Sequence, residues 1–490
     1  MEQIAFMVAD RPSYRQACFE LIEAFVPGVD VLFNEPRPFS IEIDQSSDDI
    51  TFRAREYDEL QFIKSFKIPT GKPLDSESFK GFLYDFLCMI FNRSLPWGSL
   101  TGIKPVKIAH QYIAKEALSK EEASKKMQRC YEVSEEKGNL AASLAKRELP
   151  FLYPLDQKRV SVYVGVPICP AKCAYCSFVS TIADKKGLLC ENYLNNLLYE
   201  IDMMAELVSS QNLTVDTLYI GGGTPSIFSE KQIQRLLGAL KGTFIHPGLR
   251  EFTFEAGRPE TTTREKLEIL KAYGVNRICL NPQSMNQETL DAVNRHHTAR
   301  DIENTYRDIR DIGFRSINMD LIVGLNQEKP EQFFHSLDRV MALEPENITV
   351  HSLAIKKGSR MKAENGHHFK QLYTDDFYRA IEKNLKNRNY LPYYLYRQKY
   401  TQGNGENIGY AKPGYEGIYN LLMMAEKESI IGIGAGSSGK VYDVDDDRFE
   451  KVFTVKDVKT YNDRTETIVA RKLDAYEAIA AKENKKRAFS

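Results

Sequence analysis

Cys169, Cys173 and Cys176 stand together in VPICPAKCAYCSF, a Cys-x3-Cys-x2-Cys spacing. Three thiolates from one short loop can hold three irons of a 4Fe–4S cube. Electron-transfer clusters use four cysteines, so a missing fourth leaves one iron open to chelate a substrate or cofactor. Other readings compete. A structural zinc site wants four N or S ligands, and Cys190 could supply the last, although it falls where the next helix opens. A redox pair and an inert trio complete the alternatives. The other four cysteines, Cys18, Cys88, Cys130 and Cys279, are scattered, so no disulfide scaffold is expected.

The next candidate is YIGGGTPS, residues 219–226. Glycines after an apolar strand let backbone approach a ligand closely, and the turn is expected to present free N–H groups. Taken alone, a tight strand-to-helix turn explains it equally well. Gly434 to Lys440 imitates a phosphate-binding loop, but Val441 stands where a hydroxyl would hold magnesium and VYDVDDD does not open a helix. Nucleotide hydrolysis is not expected. Neighbouring His296 and His297 diverge and are read as positioning or surface residues.

The elements around these residues alternate regularly. Strand-like runs cover 160–164, 217–220, 251–255, 277–281, 316–322 and 348–353; helix-like runs cover 192–208, 230–241, 263–272, 300–312 and 330–343. Such alternation is a parallel α/β domain, either doubly wound or an incomplete barrel. In both, the working face lies at the C-terminal strand ends. The cysteines follow the first strand, Gly221–Gly223 the second and Gln283 the fourth; Glu255 ends the third, Asp320 lies late in the fifth and Ala354 follows the sixth.

Residues 1–150 read as an α+β module whose chemistry is not legible, with strands over 4–8, 29–33, 40–44 and 50–55 and helices over 13–25, 76–90 and 108–147. Its Trp97 is read as a packing anchor. Residues 371–490 form a last module with a helix over 374–386, the aromatic run LPYYLYRQKY, a Gly-rich run at 432–439 and a charged terminal helix. Lys and Arg number 66 against 67 Asp and Glu, so no overall positive charge points to nucleic acid or an anionic membrane. The apolar run at 4–9 is too short for a signal peptide, and no stretch approaches the ~18 residues of a membrane span. A soluble, cytoplasmic chain without membrane insertion is expected.

The cysteine spacing resembles that of the radical S-adenosylmethionine (SAM) superfamily. More closely, YVGVPICPAKCAYC, GGGTPS, FEAGRPE, GVNRICLNPQSMNQETLDAVNRHH and INMDLIVGL together resemble the oxygen-independent coproporphyrinogen III oxidases, over about 155–440. The extended N-terminal module is similar to the branch labelled Z-type. The resemblance implies an incomplete (β/α)6 barrel over 155–370, with 371–490 closing the substrate side. It implies one 4Fe–4S cluster on Cys169, Cys173 and Cys176, with SAM on the open iron. Tyr163 would flank SAM and Tyr175 would sit beside the third ligand. Gly222, Gly223 and Thr224 would contact its methionine part, and Glu255 and Arg295 its ammonium and carboxylate. Gln283 and Asp320 would bond the adenosyl part, and Ala354 would lend backbone contact near the adenine.

The implied reaction is decarboxylation of two propionate arms of coproporphyrinogen III to vinyl groups, in porphyrin and haem biosynthesis. The implied partners are that tetrapyrrole and an electron donor such as flavodoxin or ferredoxin; nucleic acid is not expected. Lys356, Lys357 and Arg397 are placed near the mouth as propionate anchors from position alone. Two departures matter. The fourth cysteine that the oxidases carry is Phe178 here. The His-Asn-x-x-Tyr-Trp of the related haem chaperones is replaced by a stretch opening at Tyr419, without the His, although Tyr can also ligate haem. Haem delivery, and radical chemistry on another tetrapyrrole or RNA, are therefore the alternatives.

Overall fold

The computed structural model describes residues 3–7, 12–35, 37–68, 73–102, 104–354, 373–398, 401 and 405–489. The chain forms two compact units, residues 1–147 with 397–400, and residues 148–396 with 401–490.

In the first unit the apolar alternation of the early residues produces a five-stranded sheet, ordered β2-β1-β3-β4-β5. These are β1 (Gln3–Met7), β2 (Asp30–Phe33), β3 (Phe39–Gln45), β4 (Asp49–Glu56) and β5 (Glu59–Lys67). β1 runs parallel to β2 and β3, while β3, β4 and β5 form an antiparallel meander. Helices Pro12–Phe25 and Ser76–Phe91 pack against each other, and Phe25, Phe52, Phe79 and Phe86 are buried in one core with the sheet. β5 escaped the sequence reading because ELQFIKSFK is an edge strand whose side chains are all exposed or half-buried. The helix expected over 108–147 is broken. Val106–His110 runs into a π turn, Gln111–Lys115, and new helices begin at Lys120 and Glu135. The cause is local: Ser119 and Glu122 form a capping box that ends one helical path and starts another.

The second unit is built on an eleven-stranded open sheet, β14-β15-β13-β12-β11-β10-β9-β6-β16-β17-β18. Its parallel run comprises β6 (Arg159–Val166), β9 (Thr214–Gly222), β10 (Glu251–Gly257), β11 (Arg277–Leu280), β12 (Ser316–Val323) and β13 (Asn347–Ser352). These strands lie side by side in chain order. A doubly wound sheet reverses its order at a switch point; this run has none. Right-handed crossovers taken always in one direction place every helix on one face. Accordingly Leu188–Ser210 packs beside Glu230–Leu240, which packs beside Arg264–Ala272, and that beside Ala299–Ile312. The incomplete-barrel alternative is the one observed.

Residues after 371 supply both edges of this sheet. β14 (Leu391–Arg397) and β15 (Glu406–Ala411) extend it beyond β13. β16 (Ser429–Ile433) adds a seventh parallel strand beside β6, followed by β17 (Gly439–Asp443) and β18 (Arg448–Val452). Gly439 therefore opens a strand, as the dismissal of a phosphate-binding loop requires. The small β7 (Ile168–Cys169) and β8 (Thr181–Ile182) pair separately.

Register and pleat divide the parallel strands into two faces. One face carries rows such as Val162, Leu218 and Phe252, or Val164, Ile220, Phe254, Ile278 and Ile317, all buried and apolar. The other carries Tyr163, Tyr219, Thr253, Arg277 and Ser316 in one row and Glu255, Cys279, Asn318 and Asn347 in the next. The apolar face is the one the helices cover. The polar face forms the interior.

Candidate active site

The cysteine loop leaves β6 and is fastened at both ends. Thr181 donates to the Pro167 carbonyl and Ala183 to the Cys169 carbonyl, each at 2.9 Å. In its middle Ala174 donates to the Val293 carbonyl at 3.1 Å, and Ala174 and Tyr175 pack on Val293, Ile322, Leu325 and Leu353. Cys173 is buried; Cys169 and Cys176 are half-buried. Burial pushes the Cys176 thiol up, and the charges of Cys173 and Cys169 add to it, so the three sulfurs are electrostatic neighbours. Among the described residues no three His, Cys, Asp or Glu side chains stand close enough to hold a single ion. Cys190 is buried within the helix Leu188–Ser210, and Phe178 is 74% exposed.

The glycine turn packs directly on this loop. Gly223 donates to the Val166 carbonyl and Thr224 to the Ile168 carbonyl, both at 2.9 Å. A Cβ at Gly223 would stand 2.8 Å from the Ile168 backbone and 2.9 Å from Cys169 Sγ, so only glycine fits here. The expectation of free N–H groups is corrected. Gly223 and Thr224 spend theirs on the cysteine loop, and Gly222 donates to Glu255 Oε2 at 3.0 Å. A loop that must hold three ligands still needs its backbone tied to a neighbour, and this turn is that neighbour.

Two residues of opposite charge face the interior without a contact ion pair among the described residues, with Glu260 acting on Arg295 from further away. Glu255, ending the barrel's third strand, accepts from Tyr219 OH at 2.6 Å and from Gly222, and no described cation pairs with it. Burial pushes its carboxyl up to about 7, against the pull of those two hydrogen bonds. Arg295 is buried; its guanidinium donates to Tyr175 OH (3.2 Å) and to the carbonyls of Asn281 (2.7 Å) and Gly257 (3.3 Å), and its Nε has no partner. A buried charge left unpaired is costly. An α-amino acid group, ammonium beside carboxylate, would satisfy both charges, and the methionine end of SAM is such a group.

Gln283 and Asp320 meet through the backbone: Gln283 N donates to the Asp320 carbonyl at 2.8 Å. Gln283 adopts a φ of 67°, left-handed for a non-glycine residue, and its buried Oε1 has no partner. Strain and an orphaned acceptor together suit a bound donor. Asp320 accepts from Asn318 Nδ2 at 2.7 Å and lies 3.8 Å from His351 Nε2. Burial raises its carboxyl, but His351, Asn318 and Thr349 outweigh that and hold it below the usual value.

Tyr163 stacks with Tyr219 at 5.8 Å and with Tyr419 at 6.1 Å, and the charge of Glu255 reaches its hydroxyl. Tyr419 is only 3% exposed, and its buried hydroxyl has no hydrogen-bond partner. Ala354 follows β13 and bridges to Thr401. Lys356 and Lys357 lie outside the described residues. Arg397, expected as a propionate anchor, instead donates to the Leu100 carbonyl at 2.5 Å and covers the Trp97 ring at 5.6 Å, within the first unit. Aromatic stacking and a carbonyl already engage its guanidinium.

The cysteines, the glycine turn, Tyr163, Tyr175, Glu255 and Arg295 thus form one connected cluster, with Gln283 and Asp320 on the adjoining strand ends. Sequence reasoning missed Tyr219, Arg258, Glu260 and His351. Tyr219 and His351 are inward positions of strands that were found, so counting alternate residues would have flagged them. Arg258 and Glu260 lie inside the quoted FEAGRPE.

Comparison with known proteins places the chain in a family. Residues 163–340 match the Radical SAM superfamily model. The oxygen-independent coproporphyrinogen-III oxidase-like protein HemZ of Bacillus subtilis is 39% identical over 396 residues, 79% of this chain and 78% of that protein. The heme chaperone HemW of the same organism is 28% identical, over 57% of this chain and 71% of its own. Among solved structures, coproporphyrinogen III oxidase (HemN) from Escherichia coli shares the fold with a TM-score of 0.52 at 22% identity, over 67% of this chain and 73% of that one. No helix among the described residues is long and apolar enough to cross a membrane. The chain belongs to the oxygen-independent coproporphyrinogen-III oxidase-like family of the radical SAM superfamily, with that superfamily's cofactors, a 4Fe–4S cluster and SAM.

Proposed function

We propose that this protein converts propionate arms of a porphyrinogen, coproporphyrinogen III, to vinyl groups without oxygen. The observation that carries the reading is the pair of unmatched buried charges, Glu255 and Arg295, facing the interior beside a three-cysteine loop. Cys169, Cys173 and Cys176 would hold the cluster. Bound there, cluster and SAM supply one-electron chemistry that generates a hydrogen-abstracting species. Each arm would lose one hydrogen atom to that species, carbon dioxide to solvent and one electron to a separate one-electron acceptor.

The chain's own residues orient and enclose. Glu255 receives the ammonium of SAM and Arg295 its carboxylate; Gln283 and Asp320 meet the adenosyl part, Asp320 as acceptor for ribose hydroxyls. Gly223 and Thr224 hold the cysteine loop against the glycine turn, close to the methionine part. The Tyr163, Tyr219 and Tyr419 stack excludes water beneath the site. Ala354 offers backbone at the adenine end. A reduced electron carrier, such as flavodoxin or ferredoxin, would serve as donor.

The three-cysteine pattern with Phe178 favours a second reading, haem delivery, which the chaperone relatives share. Burial of Tyr419 in the stack weighs against a haem iron at that position. Anaerobic incubation of reconstituted protein with reductant, SAM and coproporphyrinogen III tests the choice. The expected products are 5′-deoxyadenosine and protoporphyrinogen IX, quantified by mass. Deoxyadenosine without a decarboxylated porphyrin would reject this substrate; stoichiometric haem with no product would install the second reading.

A further inference from the structure

His297 is the buried half of the histidine pair read from the sequence as positioning or surface residues; His296 beside it is exposed. His297 Nδ1 lies 3.0 Å from Glu260 Oε2, and Glu260 Oε1 accepts from Arg258 Nη1 at 3.1 Å. The other guanidinium nitrogen of Arg258, Nη2, donates to Cys173 Sγ at 2.8 Å and to the Ala171 carbonyl at 3.0 Å. Arg258 is 4% exposed and His297 2%. A continuous path thus runs from a buried imidazole through a carboxylate and a guanidinium to a cysteine sulfur.

The backbone of Arg258 is equally constrained. Its carbonyl accepts from Thr261 N at 3.2 Å, Thr261 Oγ1 at 3.1 Å and Thr262 Oγ1 at 2.9 Å. Thr261 Oγ1 in turn meets Ser226 Oγ at 2.6 Å, just past the glycine turn. The guanidinium is therefore held from both ends before any ligand binds. Burying an arginine against one carboxylate and one sulfur is expensive for stability alone, whereas a fixed positive donor on a thiolate has a direct electronic effect.

We propose that Arg258 is a positioning residue for the cluster, fixing the Cys173 ligand and raising the potential at which the cluster accepts its electron. This rests on Cys173 being a cluster ligand. Hydrogen bonds to cluster sulfurs and nearby positive charge stabilise the more negative, reduced state. Glu260 sets the orientation of the guanidinium fork, since a bidentate donor must be aimed, and His297 holds Glu260.

The test is a redox titration followed by electron paramagnetic resonance (EPR) on anaerobically reconstituted full-length protein, with iron counted in each sample. Arg258→Gln is expected to keep its iron and show a lower midpoint potential than wild type. Arg258→Lys, which keeps charge but cannot span both acceptors, is expected to shift less in the same direction. A midpoint and reduced spectrum identical to wild type in Arg258→Gln would overturn the proposal while leaving ligation by Cys173 intact. Wild-type protein that binds no cluster would instead defeat the ligation itself. If Arg258→Gln loses iron, Arg258→Lys gives the same reading. Loss of iron from both with unchanged circular dichroism supports the positioning role, and unfolding of both overturns it in favour of packing.

Discussion

The two faces of the parallel strands differ residue by residue. Val164, Ile220, Phe254 and Ile278 lie under the helices; their strand neighbours Tyr163, Tyr219, Glu255 and Cys279 point inward. The outward set is interchangeable with that of many α/β proteins, because burying apolar area asks only for volume and shape. The inward set is not. It carries a carboxylate, an arginine and stacked tyrosines that a merely structural interior would replace with aliphatic side chains. One face explains why the sheet forms, and the other what it holds.

The contrast is most easily broken at the cysteine loop. Replacing any one of Cys169, Cys173 or Cys176 by Ala should abolish the cluster and all SAM cleavage, with the fold preserved; iron content and 5′-deoxyadenosine measure both. On the outward face, Phe254→Ala should cost about 3–5 kcal/mol of stability in urea unfolding through the cavity it leaves. Protein that remains folded should bind SAM normally. The inward neighbour behaves in the opposite way. Glu255→Gln should weaken SAM binding by roughly 1.5–3 kcal/mol, the worth of a hydrogen bond to a charged group.

The same residue predicts a pH dependence. Glu255 is held near 7 instead of its ordinary 4.5. SAM affinity in wild type should therefore decline as pH falls below about 7, and Glu255→Gln should flatten the profile. Linkage gives the opposite sign for stability without ligand. The folded state keeps the proton between those two values, so stability falls as pH rises through that window, and Gln removes the slope. The smallest effect expected is from Asp320→Asn, about 0.5–1.5 kcal/mol in SAM binding, because the amide retains one acceptor oxygen.

What the sequence made legible follows this division. Periodicity located all six barrel strands, and their C-terminal ends located the interior positions around Glu255, Gln283 and Asp320. The alternation of apolar and polar residues along these strands gives the two faces different contents, which suits helices on one face and a polar interior on the other. Two strands were harder. β5 is too exposed to look like a strand alone, and β16 is short and runs into the glycine-rich segment 432–439; it is a strand because β6 offers it a partner. Ser119 was readable as a helix start but lay inside a run of good helix formers. Arg258 was hidden for another reason: its role depends on Cys173, 85 residues away in sequence.

The central claim is that three sulfurs and two unmatched charges make one seat for a cluster and SAM. EPR of the anaerobically reconstituted, reduced protein, recorded before and after adding SAM, addresses it most directly. The account predicts about four irons per chain, a spectrum that changes when SAM is added, and a much weaker change in Glu255→Gln. A chain that takes up a single zinc instead of iron, or a spectrum indifferent to SAM, would contradict it.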